Sequence, residues 1–171
     1  KRIDPASLIS GDRNAIMVAV RITGYGRDYE VAVQCPECEE KSNFKFDLTE
    51  LPIKRLDADP VEPGKNLFTF ALPRSQATVQ WRFMTGRDEE DLSQAATAKK
   101  KAKLAVADEA VTGRLAKMVV SINGNGDKNV IARALPNMPS ADSKALREHI
   151  QAVEPGIEMV GQFTCSQCGE S

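Results

Sequence analysis

All four cysteines of this chain fall in two Cys-x-x-Cys pairs, Cys35-Pro36-Glu37-Cys38 and Cys165-Ser166-Gln167-Cys168, 126 residues apart, with none left over. Thiolates paired at this spacing suit one closed tetrahedral zinc site, two ligands from each of two tight turns, with no position open to a substrate. Cys35, Cys38, Cys165 and Cys168 are therefore the expected metal ligands, and a structural Zn2+ the expected cofactor. Ligands near the two ends of the chain would tie those ends together.

A single Cys-x-x-Cys could instead be a redox pair, but that motif opens a helix whose N-terminus lowers the thiol pKa. Here both pairs follow strand-like runs and neither precedes a helical pattern. Tyr29 to Gln34 and Asn43 to Leu48 alternate apolar and polar residues around the first pair, as a hairpin would. Val160 to Thr164 lead into the second pair, and Gly169 follows it as a residue that lets backbone amides turn toward sulfur. Disulfides and unpaired buried thiols are the remaining alternatives. After the first knuckle the chain returns along a strand, whereas after the second it stops at Ser171, and it starts at Lys1-Arg2-Ile3. The expectation is that the natural chain continues.

At 171 residues the chain is long enough for one domain with a real core. Its net charge of −1 and its 5% aromatic content argue against a protein whose main work is binding phosphate backbones or stacking bases. There is no apolar run long enough to span a membrane and no signal-peptide pattern at the start. Intact thiols in a metal site point to a reducing compartment.

Asp4-Pro5 can open a first helix, and Asp12 to Ile22 reads as a helix that stops at Gly24-Tyr25-Gly26, with a strand as the alternative its β-branched residues leave open. A second hairpin follows, Leu67 to Leu72 and Ala77 to Met84 joined through Pro73 to Gln76, with Phe68, Phe70 and Leu72 on one face. From Thr85-Gly86-Arg87-Asp88, which resembles a capping box, helix is expected to Ile122 with a break near the lysines or at Gly113. Shorter helices are expected from Lys128 to Leu135 and from Ser140 to Val153. The fold class is α+β: a zinc ribbon of two knuckles with a hairpin and helices inserted between them. The expected layout is one zinc-stabilised domain, with a helical N-terminus at 4–23, knuckles at 29–48 and 159–171, the hairpin at 66–84 and the helical insertion at 86–153.

Other residues read blandly. Lys99-Lys100-Lys101-Ala102-Lys103 is the dense basic cluster, a solvated helix face whose functional alternative is contact with nucleic acid or an acidic protein. His149, the single histidine, is expected at the surface or a helix end rather than on the metal, and Trp81 in a half-buried strand position. Asp142, Ser143 and Ser166 have no base at recognisable spacing, so no nucleophile or acid–base constellation is seen and no catalysis is expected.

The order of landmarks resembles a known family. Gly11-Asp12-Arg13, Thr23-Gly24-Tyr25-Gly26, Tyr29-Glu30-Val31 into the first knuckle, Thr85-Gly86-Arg87-Asp88, Ala134-Leu135-Pro136-Asn137-Met138-Pro139, Asp142-Ser143 and Glu154-Pro155-Gly156-Ile157-Glu158-Met159 into the second knuckle look like the T4-type bacteriophage baseplate hub assembly proteins. The resemblance implies a non-enzymatic hub component or assembly factor that contacts other phage tail or baseplate hub proteins. It also implies a location in the virion tail baseplate, or in the host cytoplasm during assembly. The alternative from a different class is a zinc-ribbon nucleic-acid adaptor.

Overall fold

Side-chain periodicity switches between two and three to four residues along the chain, and each switch marks a change of element. The computed structural model describes residues 3–101, 107–160 and 163–169. In chain order it has α1 (Ser10–Tyr25), β1 (Asp28–Gln34), β2 (Lys41–Asp47), β3 (Ile53–Lys54), β4 (Phe68–Ala71), β5 (Thr78–Trp81), α2 (Gly86–Lys101), α3 (Ala107–Met118), β6 (Val119–Ile122), α4 (Lys128–Ala134), α5 (Ser140–Val153) and β7 (Gly156–Ile157), with short 3-10 turns at Pro5–Ser7 and Leu48–Glu50. The class is α+β. Two compact units emerge: a larger one of Lys1–Arg13 and Arg55–Pro155, and a smaller one of Asn14–Lys54 and Gly156–Ser171. No helix among the described residues is long and apolar enough to cross a membrane.

In the larger unit, β4 and β5 pair antiparallel with Phe68 opposite Trp81, and β6 adds to the other edge of β5 to give the order β4-β5-β6. One face of the hairpin carries Phe68, Phe70 and Leu72, as the alternation predicts, and Phe68 and Leu72 are buried. Phe68, Trp81 and Phe83 form an aromatic centre with ring centroids 4.8–5.0 Å apart. Around it α3 packs Leu115 and Met118, α4 packs Ile131, and α5 packs Leu146, Ile150 and Val153. The α5 residues recur at helical spacing, so one stripe of that helix enters the core. Asp142 belongs to the same stripe and is fully buried: its carboxylate accepts the backbone N–H groups of Arg74 (2.7 Å) and Ser75 (3.0 Å) at the β4–β5 turn.

The start of α2 holds together as the capping box suggests, with a partner that the sequence did not reveal. Asp88 accepts from the Thr85 backbone N–H and hydroxyl, and it also receives two 2.8 Å bonds from the Arg82 guanidinium. The 3-10 turn at Pro5–Ser7, capped by the Asp4 carboxylate, lies against Gly86, where an added Cβ would come within 3.3 Å of the Ala6 backbone. A Cβ there would also meet the Arg13 guanidinium at 2.7 Å, so a larger residue must displace that side chain and crowd the Ala6 backbone.

Several expectations need correcting. Val119 to Ile122 form a strand on β5 instead of the end of a helix, because the β-branched Val119, Val120 and Ile122 alternate and can bury Val119 and Ser121 against the sheet. Gly113 lies inside α3 and breaks nothing. Trp81 is fully buried, not half-buried, because β6 pairs alongside it on β5 and the rings of Phe68, Phe83 and His149 lie against it. His149 is part-buried and stacked on Phe70 at 4.4 Å rather than set at the surface. The second knuckle is not led in by a strand among its described residues: Val160, Phe163 and Thr164 carry no ladder, and the pairing there is made earlier, by β7 on β3. Of the basic cluster, Lys99 to Lys101 belong to α2, while Ala102 and Lys103 lie outside the described residues.

In the smaller unit β1 and β2 form a regular antiparallel hairpin from Asp28↔Asp47 to Gln34↔Lys41. Its inner face holds Tyr29, Val31, Val33, Phe44 and Phe46, all half-buried. Among the described residues of this unit, only Val18, Leu48, Cys35 and Cys165 are buried hydrophobics. Such a unit has too little core to be stable without a staple.

Candidate metal centre

Each cysteine pair sits on a turn built by its own backbone. Cys35 follows directly on β1, its N–H donating to the Glu40 carbonyl at 2.9 Å. Four residues after the first cysteine of each pair stand Glu39 and Gly169. Both have left-handed backbone, φ 58° and 75°, and both donate an N–H to that cysteine's carbonyl at 3.0 Å. The two knuckles are thus the same local structure, one carrying Glu where the other carries Gly. That equivalence was visible as Cys-x-x-Cys-Glu beside Cys-x-x-Cys-Gly, although the strain it places on Glu39 was not.

The knuckles bring the four sulfurs together. One ligand atom from each of Cys35, Cys38, Cys165 and Cys168 lies within 4.8 Å of all the others. The Cys35–Cys168 and Cys38–Cys165 sulfurs are each 3.6 Å apart, and none of the four is in a disulfide. A tetrahedron with zinc–sulfur bonds of about 2.3 Å has edges of roughly 3.8 Å, so the sulfurs stand close to the separations that such an ion requires. Cys35 and Cys165, the first of each pair, are buried, while Cys38 and Cys168 face solvent.

Backbone amides also favour thiolate character. The N–H groups of Cys168 and Gln167 pull the Cys165 thiol down to about 6 against the effect of burial. At Cys38 the Glu40 N–H favours the thiolate, yet burial and the three neighbouring sulfurs push it up to about 12. A cluster in which one sulfur readily holds a negative charge and another resists it has room for a cation that relieves the repulsion. The donor set, four soft sulfurs with no oxygen among them, fits zinc better than magnesium or calcium.

Phe163 meets Phe44 edge-on at 6.1 Å, and the Ser42 and Ser166 hydroxyls meet at 3.3 Å, so side chains as well as sulfurs join the second knuckle to the hairpin. Glu37, Glu39 and Glu40 are exposed on the first knuckle. His149 belongs to the larger unit and is not among the clustered residues. Asp142, which no chemical motif claimed, is used to fasten α5 to a turn; its place in the buried stripe of a helix was the readable signal.

A family model described as T4 bacteriophage base plate protein matches residues 1–171. Comparison with curated proteins and with solved structures returns no match. Because the match takes in both knuckles and everything that separates them, the chain belongs to the T4 bacteriophage base plate protein family.

Proposed function

We propose that the protein is a non-enzymatic component or assembly factor of the phage tail baseplate hub, a zinc-stabilised platform that binds other tail or baseplate hub proteins. The whole-chain family match carries this reading. It acts in the virion tail, or in the host cytoplasm while the tail is assembled. Cys35, Cys38, Cys165 and Cys168 hold one Zn2+, joining the two knuckles as a reduced form of a zinc ribbon; their clustering within 4.8 Å supports this assignment. The ion supplies folding free energy and nothing else, since four protein thiolates leave it no open coordination position.

Around that ion the chain's own residues do the positioning. The left-handed turns at Glu39 and Gly169 aim the sulfurs, the amides of Glu40, Gln167 and Cys168 stabilise them as thiolates, and the Phe44–Phe163 contact backs the second knuckle. The test is mass spectrometry of purified tails and of assembly intermediates from infected cells. Recovery of the protein in either, with one zinc per chain in the isolated protein, is the expected result. Absence from both would sink the assembly reading.

A further inference from the structure

The larger unit contains a cavity of about 190 Å³ that the described core does not fill. Its floor is apolar: Met84, Leu115, Met118 and Ile150 are each at least nine-tenths buried. Two of these are methionines, whose flexible thioethers adapt to differently shaped occupants. The walls carry charge. Arg114 from α3 and Arg147 from α5 both line the opening and are exposed, with Glu154 as the one acidic group. Arg147 is oriented by its Nε, which donates to the Ser143 carbonyl at 3.1 Å, a bond that does not use its terminal nitrogens.

Size and charge together define an occupant. A cavity of about 150 Å³ lined by aliphatic and aromatic groups admits benzene, so this one is large enough for a leucine or phenylalanine side chain. Guanidinium groups recognise carboxylates with paired donors, and two of them against one acid give the rim a positive balance. Hot spots of protein interfaces have this form, a bulky anchor seated in a desolvated pocket with charged groups at the rim. We propose that the cavity receives a bulky apolar side chain presented by an acidic segment of another protein. The proposal rests on the reading of the chain as an assembly protein, and it names the chemistry of one partner contact.

The test uses the full chain and a labelled synthetic peptide, acetyl-Glu-Glu-Leu-Phe-Glu-Glu-amide, with two controls in which Leu-Phe becomes Ser-Ser or each Glu becomes Lys. Fluorescence anisotropy should give saturable binding of the first peptide at or below about 1 mM, with both controls weaker by roughly tenfold or more. Arg114→Glu with Arg147→Glu, both exposed and so expected to fold, should weaken it at least as much, and Gln151→Phe at the lining should block it. Retained Trp81 fluorescence would establish that these variants are folded. Absence of binding, equal binding of the lysine control, or indifference to all three substitutions would overturn the proposal. So would equally tight binding of 4-phenylbutyrate, which would make the cavity a small-carboxylate site. The assembly reading fails separately: it is lost if the wild-type chain is missing from tails and intermediates, whatever the peptide does.

Discussion

Cys35 Sγ and Cys168 Sγ lie 3.6 Å apart although they are 133 positions apart in the chain. With so few other buried residues in the smaller unit, removal of the metal should unfold that unit selectively. The single tryptophan, Trp81, sits in the aromatic centre of the larger unit and reports on that unit alone. Cys165→Ser, or chelation of the wild type, should therefore abolish zinc binding and amide protection in β1 and β2 while leaving tryptophan emission blue-shifted. Concerted loss of both signals would mean that the units do not fold separately. Unchanged protection of the hairpin would mean that the sulfurs do not hold a structural ion.

The knuckle turns make reciprocal predictions. Gly169→Ala places a Cβ on a backbone at φ 75° with open space around it, so only conformational strain opposes it, at about 1 kcal/mol. Glu39→Gly removes the same kind of strain at φ 58° and should be neutral or stabilising by up to about 1 kcal/mol. Zinc-loaded melting of the hairpin, followed by hydrogen exchange, checks both. A stabilising effect of Gly169→Ala, or a destabilising effect of Glu39→Gly, would show that the knuckles are not the same local structure.

Acid should weaken the larger unit through two aspartates. The Arg82 guanidinium beside Asp88 holds its carboxyl well below the usual range, with help from the Thr85 amide and hydroxyl and against burial. At Asp142 burial opposes ionisation, but the amides of Arg74 and Ser75 and the Ser75 hydroxyl outweigh it and keep the carboxyl low. For a depressed folded pKa the stabilisation is fully present above the unfolded aspartate value near 3.8 and disappears as pH falls through the folded values. Denaturant titrations followed by Trp81 should show stability declining below about pH 4. Asp88→Asn should cost about 1.5–3 kcal/mol at neutral pH and flatten that decline.

A second pH effect lies closer to neutrality. Burial against Phe70 lowers the His149 pKa from 6.5, so the unfolded chain takes up a proton before the folded one does. Stability is then complete above about pH 6.5 and falls as pH drops toward the lowered value. His149→Phe keeps a ring on Phe70 and should remove this step without lowering stability at pH 8. Persistence of the step in that variant would assign it to another group.

Much of this architecture was readable because it rests on local chemistry. Cysteine spacing picked out the four sulfurs, the Ser140 start and Pro155-Gly156 stop framed α5, and strict alternation placed Phe68 and Leu72 on the buried face. What escaped depends on partners distant in the chain. Val119 to Ile122 follow a helical pattern and become a strand only because the edge of β5 is open to them. Asp142, for which no base at recognisable spacing was seen, meets its two amides only at the β4–β5 turn, 67 and 68 positions away.

The pairing of β3 with β7 is only two residues long, Ile53 opposite Ile157 and Lys54 opposite Gly156. It changes the folding order open to the metal. Before it forms, joining Cys38 to Cys165 means closing a loop of 126 residues; afterwards the path through the ladder is roughly two dozen residues, cheaper by about 1.5 kcal/mol in closure entropy. A neck that small lets the long insert be passed over as though it were a short turn, so ladder first and ion last is the less costly sequence. It also marks the junction after Lys54 and before Gly156 as the place where inserts of other lengths could be exchanged without disturbing the sulfurs.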